Sequence, residues 1–206
     1  MDDKLDDIQT ITIGHYNTNA ASFWAGTKDH DVTQNYAALL GQFPAGKMLD
    51  ILDFGCGPGR DVAYFKSLGH RPTGLDGSAE FCKMAREHTG CPILNQQFLQ
   101  LSLAPASFDG IFANASMFHI PSQELPRILS ELHDALRPGG ILFSSSPRGN
   151  QEGWNGLRYG NYMEFETSQQ YLQDAGFQVL QHYYRPTGKP RDEQPWLAIV
   201  SQRQAS

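Results

Sequence analysis

The 206-residue sequence is short of several things, and each shortage removes a class of function. Lysine and arginine total 16 against 22 acidic residues, the net charge is −6, and no basic run occurs. A protein that grips nucleic acid regardless of sequence needs such runs to neutralise phosphates, so no nucleic-acid partner is expected. Cys56, Cys82 and Cys91 are odd in number and fit no CxxC or zinc spacing. They argue against a disulfide framework and read as free thiols in a reducing compartment. No apolar run approaches the roughly 18 residues of a membrane span, and the acidic start MDDKLDD is neither a signal nor a transit peptide. The expectation is a soluble, cytoplasmic protein without membrane contact. Carboxylates at metal-ligand spacing are also missing, so no metal is expected.

What is present suffices for a real core: 40% hydrophobic residues, including 12 Phe, in a chain of one-domain length. Residues 1–206 read as one domain, with an N-terminal lid and helix at 1–46 and a core at 47–206. HDVTQNYAALLGQF has helical spacing, with Asp31 at its cap. KMLDILDFG, RPTGLD, PILNQQF, FDGIFANAS and ILFSSS read as strands, separated by the helices GRDVAYFKSLG, SAEFCKMAREHTG and SQELPRILSELHDALRPGG. A helix TSQQYLQDAGF and two strands, QVLQHYYRP and PWLAIVSQR, finish the chain. Alternating apolar strands and helices predict an α/β, doubly wound, mostly parallel sheet. The two terminal strands predict an antiparallel edge hairpin. Ligands of such sheets lie beyond the carboxyl ends of the strands, which gathers the turn after the first strand, the NAS at 114–116 and the stretch SPRGNQEGWNGLRYGNY. That stretch, within an acceptor loop at 146–166, has four glycines, three aromatics and no strand or helix period. A structureless run this long in a compact domain is usually functional or disordered, and its aromatics argue against disorder.

The turn ILDFGCGPGR departs from a dinucleotide fingerprint, because the last glycine position holds Arg60, and it lacks the GK[ST] of a P-loop. Asp53 at the strand tip would repel a phosphate and welcome an ammonium group. Asp76 ends the next strand, 17 residues past Gly59, where a carboxylate can accept hydrogen bonds from ribose hydroxyls. A nucleoside with positive charge, an amino-acid tail and no phosphate is S-adenosylmethionine. D-x-G-C-G-P-G, the LD at 75–76 and the closing YLQDAGFQV resemble the class I S-adenosylmethionine-dependent methyltransferases, over about Lys47 to Arg203. The resemblance implies a Rossmann-like sheet of seven strands with the last antiparallel, and S-adenosylhomocysteine as product. It implies that Asp53, Gly55, Cys56 and Gly57 face the methionine part of the cofactor. Asp76 would hold the ribose with Gly77 beside it, Gln97 and Phe98 would flank the adenine, and Asn114 would lie beside the sulfonium. Phe98 reads equally as core packing.

Methyl transfer from a sulfonium needs alignment more than activation. An NPPY turn of amino-methylating nucleic-acid enzymes is absent, as is a paired-glutamate loop, which leaves a small polar acceptor. FWAGTKDHDVTQN, ANASMFHIPSQELPRIL, SPRGNQEGWNGLRYGNY and YYRPTGKPRDEQPWLA look like the methyltransferases of ovothiol biosynthesis. That family methylates an imidazole nitrogen of 5-thiohistidine, giving ovothiol A, and often follows an iron-dependent sulfoxide synthase in one chain. The resemblance implies a free-standing partner of such a synthase. Arg148, Arg158 and Arg185 become candidates for the substrate carboxylate. His30 and Asp31 are candidates for its imidazole or ammonium, and Trp24, Trp154, Tyr159 and Tyr162 for the pocket walls. Asn114 and His119 are the catalytic candidates. Asp31 reads equally as a helix cap and Arg148 equally as an anchor for the long stretch, which would roof the acceptor pocket. Two other readings stand beside this one: a methyltransferase for another small N, O or S acceptor, and a non-catalytic subunit that binds S-adenosylmethionine. A nicotinamide oxidoreductase is disfavoured by Arg60 and Asp53.

Overall fold

A computed structural model describes residues 3–204. Its sheet is built from β1 (Asp50–Phe54), β2 (Arg71–Asp76), β3 (Ile93–Asn95), β4 (Phe108–Asn114), β5 (Leu136–Pro147), β8 (Phe177–Arg185) and β9 (Trp196–Arg203). The seven strands lie in the order β3-β2-β1-β4-β5-β9-β8. The first five are parallel, and β9 is antiparallel to both its neighbours. The predicted seven-stranded, mostly parallel sheet with an antiparallel last strand is therefore what forms. The final strand is internal, however, slotting between β5 and the edge strand β8.

Period-two alternation divides the core into two layers. Leu52, Phe54, Ile111, Ala113, Leu142, Leu197 and Ile199 pack on one face, against α6 (Leu125–Ala135) and α7 (Phe165–Asp174). Ile51, Phe112, Ile141, Phe143, Ala198 and Val200 pack on the other, against α3 (Thr33–Leu40) and α4 (Arg60–Ser67). Helix α5 (Ala79–Thr89) joins α4 through Val62, Cys82, Ala85 and Ile93, and Ser78 Oγ caps it by accepting the Phe81 N–H. The chain runs outward from β1 through β2 and β3, then returns to the other side of β1 as β4. That reversal opens a crevice between the tips of β1 and β4.

Three sequence expectations change. The stretch after β5 is an antiparallel hairpin, β6 (Gln151–Asn155) and β7 (Arg158–Tyr162), in which Trp154 faces Tyr159 and Gly153 faces Gly160. Its glycines interrupt the apolar alternation by which a strand is recognised, and Gly156, at φ +60, sits in the turn. The segment before α3 is two helices, α1 (Asp3–Thr18) and α2 (Ala20–Thr27). Strand β3 stops at Asn95, so Gln97 lies in the turn beyond it. No helix among the described residues is long and apolar enough to cross a membrane.

Candidate functional site

A cavity of about 600 Å³ lies over the tips of β4, β1 and β2 and is roofed by α1 and α2. The turn after β1 makes its floor. Gly55 has φ +82, and a Cβ there would fall 2.3 Å from Ser116 Cβ, so only glycine lets the turn after β4 close on it. Gly59, at φ +93, has no room for a Cβ either, because Thr89 and Ala85 of α5 would lie 2.9 and 3.1 Å away. The third glycine thus serves helix packing, and Arg60 after it opens α4.

Asp76 is fixed by two backbone donors, accepting the N–H of Gly57 at 2.9 Å and of Ser78 at 2.8 Å. Burial pushes its carboxyl up to about 6 against the pull of the Ser78, Gly57 and Gly77 amides. A carboxylate has about four acceptor sites, so after these bonds it still has room for two hydroxyls. Asp53 is different. It is 1% exposed, its Oδ2 has no hydrogen-bond partner among the described residues, and it does not line the cavity. Burial, then the charge of Asp61, pushes its carboxyl well above the usual range. The predicted attraction of Asp53 for an ammonium is corrected accordingly: the acids on the cavity wall are Asp61, Asp76 and Asp31.

Asp61 anchors a polar chain that the sequence reading missed. It pairs with Arg60 Nε at 2.6 Å and accepts Tyr36 Oη–H at 2.6 Å and Asn114 Nδ2–H at 3.2 Å. Asn114 Oδ1 accepts from Asn35 Nδ2 at 2.9 Å, and Asn35 Oδ1 accepts from Tyr183 Oη at 2.9 Å. Arg60 also donates to the Thr27 carbonyl at the end of α2, 3.0 Å away. The Asn114 amide is held at both ends before any ligand arrives.

His119 closes a second chain. Its Nδ1 lies 2.6 Å from the Tyr159 carbonyl and its Nε2 lies 2.9 Å from Tyr16 Oη. A carbonyl only accepts, so Nδ1 carries the hydrogen and Nε2 accepts from Tyr16. Burial holds the imidazole down to about 4, and the nearby Arg158 and His15 charges push the same way. The Tyr159 N–H donates to Thr12 Oγ1 at 3.1 Å, so α1 and His119 together grip the hairpin backbone.

Of the residues expected at the site, Gly55, Cys56, Gly57, Asp76, Gly77 and Phe98 line the cavity. So do Asn114, His119, Trp24, His30, Asp31, Arg158 and Arg185. Phe98 also stacks on Phe54 at 4.3 Å, so its packing and lining readings both apply. Asp31 lies one residue before the cap of α3, which is Val32 rather than the expected Asp31; its Oδ1 accepts the Thr33 N–H at 2.9 Å, and its backbone carbonyl accepts from Arg185 at 2.9 Å. Gln97, Arg148, Tyr159, Tyr162 and Trp154 are not on the cavity wall. Arg148 is an anchor, bound to Glu164 at 3.1 Å and to the carbonyls of Gln194 and Arg191 at 2.8 and 2.6 Å. Tyr159 sends its hydroxyl outward to Glu152, Tyr162 stacks on Phe118, and Trp154 is 46% exposed.

The strand order, with the glycine floor and the acid at the tip of β2, is that of the Rossmann-like fold shared with solved methyltransferase structures. Residues 51–140 match the methyltransferase domain family. Among curated proteins, the chain is 38% identical over 105 residues to malonyl-[acyl-carrier protein] O-methyltransferase of Pectobacterium atrosepticum, covering 50% of this chain and 41% of that protein. It is 35% identical over 116 residues to trans-aconitate 2-methyltransferase of Azoarcus sp., covering 55% and 45%. The chain thus spans less than half of either relative. Among solved structures, the fold is similar to Burkholderia thailandensis 1,6-didemethyltoxoflavin-N1-methyltransferase bound to S-adenosylhomocysteine. The TM-score is 0.78 with 22% identity, over 95% of this chain and 88% of that one.

Proposed function

We propose that the protein transfers a methyl group from S-adenosylmethionine to an imidazole nitrogen of 5-thiohistidine, giving ovothiol A. One observation carries the reading. A single cavity connects the glycine floor and Asp76 with two arginines, Arg158 and Arg185, and with Asp31 and His30. Among the described residues neither Arg158 nor Arg185 has a carboxylate salt-bridge partner, which leaves both for the carboxylate of an amino acid. The Thr33 amide holds the Asp31 carboxyl below its usual range, so Asp31 stays anionic and suits the ammonium. Trp24, Phe118 and Trp196 supply flat apolar wall for an aromatic ring.

The chemistry asks little beyond alignment. The lone pair of the acceptor nitrogen displaces the sulfur, the S–CH₃ bond breaks as N–CH₃ forms, and S-adenosylhomocysteine leaves. The positive charge left on the ring is balanced by the thiolate, so no proton has to be removed in that step. His119 fits a positioning part rather than a base, since both its nitrogens are engaged. Asn114, fixed by Asp61 and Asn35, fits as an immobile dipole beside the reacting carbon. An iron-dependent sulfoxide synthase would be the functional partner, acting earlier than this step. Residues 1–206 would act as one unit, because α1 and α2 roof the cavity.

The test is mass spectrometry after incubation with S-adenosylmethionine and each of 5-thiohistidine, histidine, their thiol-blocked analogues and trans-aconitate. A one-methyl gain on free thiohistidine alone is expected. Methylation of trans-aconitate instead would establish the second reading, a small carboxylic acid as acceptor, which the two arginines also suit. No methylation of any acceptor, with the cofactor still bound, would favour the non-catalytic reading. In a positive assay, Arg158→Ala and Arg185→Ala should each raise the acceptor KM about ten-fold and leave cofactor Kd nearly unchanged, as expected from the loss of a charge-assisted hydrogen bond at a solvated site.

A further inference from the structure

The buried face of α1 has a polar interruption. Leu5, Ile8, Gln9, Thr12, Ile13 and Tyr16 form one stripe at helical spacing, and Thr12 is accounted for by the Tyr159 N–H. Gln9 is 8% exposed. Its Oε1 accepts the backbone N–H of Leu99 at 3.2 Å, which fixes the orientation of the amide. The other end, Nε2, is a donor with two hydrogens and has no hydrogen-bond partner among the described residues. Leaving a buried donor unsatisfied is unfavourable, and an apolar side chain of similar length would avoid that cost. Gln9 nevertheless lines the cavity, beside Phe98 and Leu99.

Position along the crevice says what meets that donor. The tips run from Asn114 on β4, through the glycine turn after β1, to Asp76 on β2 and the turn at Phe98 and Leu99 after β3. With the amino-acid tail at the β1 turn and the ribose on Asp76, the base falls over the turn after β3. An adenine presents N1, N3 and N7 there as acceptors, whereas its amino group is a donor and does not match Nε2. We propose that Gln9 Nε2 donates a hydrogen bond to a ring nitrogen of the cofactor's adenine, which makes α1 part of the cofactor site. This inference rests on the S-adenosylmethionine reading of the cradle.

The experiment is calorimetric titration of the full chain with S-adenosylhomocysteine and with its 1-deaza-, 3-deaza- and 7-deaza-adenine analogues. Gln9→Met removes the donor at similar length. Gln9→Glu keeps an acceptor for the Leu99 N–H, so one variant retains that tie if the other loses it. Both should weaken S-adenosylhomocysteine binding about five- to twenty-fold, the range for one neutral hydrogen bond with a partner left unmet. One deaza analogue should bind wild type more weakly by a similar factor, yet bind the variants no worse than the natural base. A purely structural role for Gln9 would lower the unliganded melting temperature but would not erase that discrimination. Equal discrimination by wild type and variants overturns the proposal, as does unchanged binding in both variants. If wild type itself fails to bind S-adenosylhomocysteine, the cofactor reading falls first and this inference falls with it.

Discussion

The neutral His119 makes a sharp prediction about acid. Burial holds its imidazole down to about 4, against an ordinary value of 6.5. Between those values the unfolded chain binds a proton that the folded chain refuses. The sign follows: this contribution is fully present above pH 6.5 and is lost as pH falls through 6.5 toward 4. Each pH unit in that window is worth about 1.4 kcal/mol, so moving from pH 7.5 to pH 5 should cost wild type about 2 kcal/mol through this residue. The ring faces the cavity along one edge, and solvent there trims the figure to about 1.5 kcal/mol. The perturbation is His119→Asn, which removes the titration and keeps a donor for the Tyr159 carbonyl. Urea unfolding of both proteins at pH 7.5 and pH 5 gives the difference directly, with all other carboxyl and histidine titrations common to the two. The variant should start less stable, and the gap should close by about 1.5 kcal/mol at pH 5. A gap that stays constant between the two pH values would refute the argument, because His119 would then titrate alike in both states.

Gly55→Ala should abolish measurable cofactor binding, since the new Cβ would lie 2.3 Å from Ser116 Cβ at φ +82; the backbone strain alone should cost about 1–3 kcal/mol in a denaturant melt. Asp76→Ala should weaken S-adenosylhomocysteine binding about ten- to a hundred-fold by calorimetry, the range for losing charged acceptors of two hydroxyls. Arg148→Ala should show chiefly in the unfolding free energy, lowered by about 1–3 kcal/mol as its bonds to Gln194 and Arg191 are lost. Its acceptor KM should move far less than that of Arg158→Ala.

The parts of the site that are local in the chain are the parts legible beforehand. Gly55, Gly57 and Asp76 follow from strand ends and turn geometry within 22 consecutive residues, and the sheet follows from alternating apolar strands. Charge state was not legible. Asp53 and Asp76 are both strand-tip acids, but Asp53 sits beneath the turn beside Asp61, while Asp76 meets the ligand space and backbone donors. Nor could the sequence separate Arg148 from Arg158. Both lie in one glycine-rich stretch, and only the hairpin register turns Arg158 into the cavity while Glu164 and the carbonyls of 191 and 194 claim Arg148. The N-terminal helix was hidden for a related reason. Its buried stripe includes Gln9 and Thr12, polar residues whose partners, Leu99 and Tyr159, lie 90 and 147 positions away.

The internal place of β9 bears on how the molecule assembles. Its register along β5, from Ile141 to Pro147, is filled by residues 196–202. During synthesis β5 emerges well before the strand that covers it, and β8 has no place of its own in the sheet until β9 bridges the two. For that interval the nascent chain carries an open strand edge rich in Ile, Leu and Phe, the kind of edge through which partly folded chains pair with one another. Closing the sheet is therefore a late and long-range event, so a chain truncated before residue 196 should be captured by chaperones or aggregate rather than settle into a smaller version of the same fold.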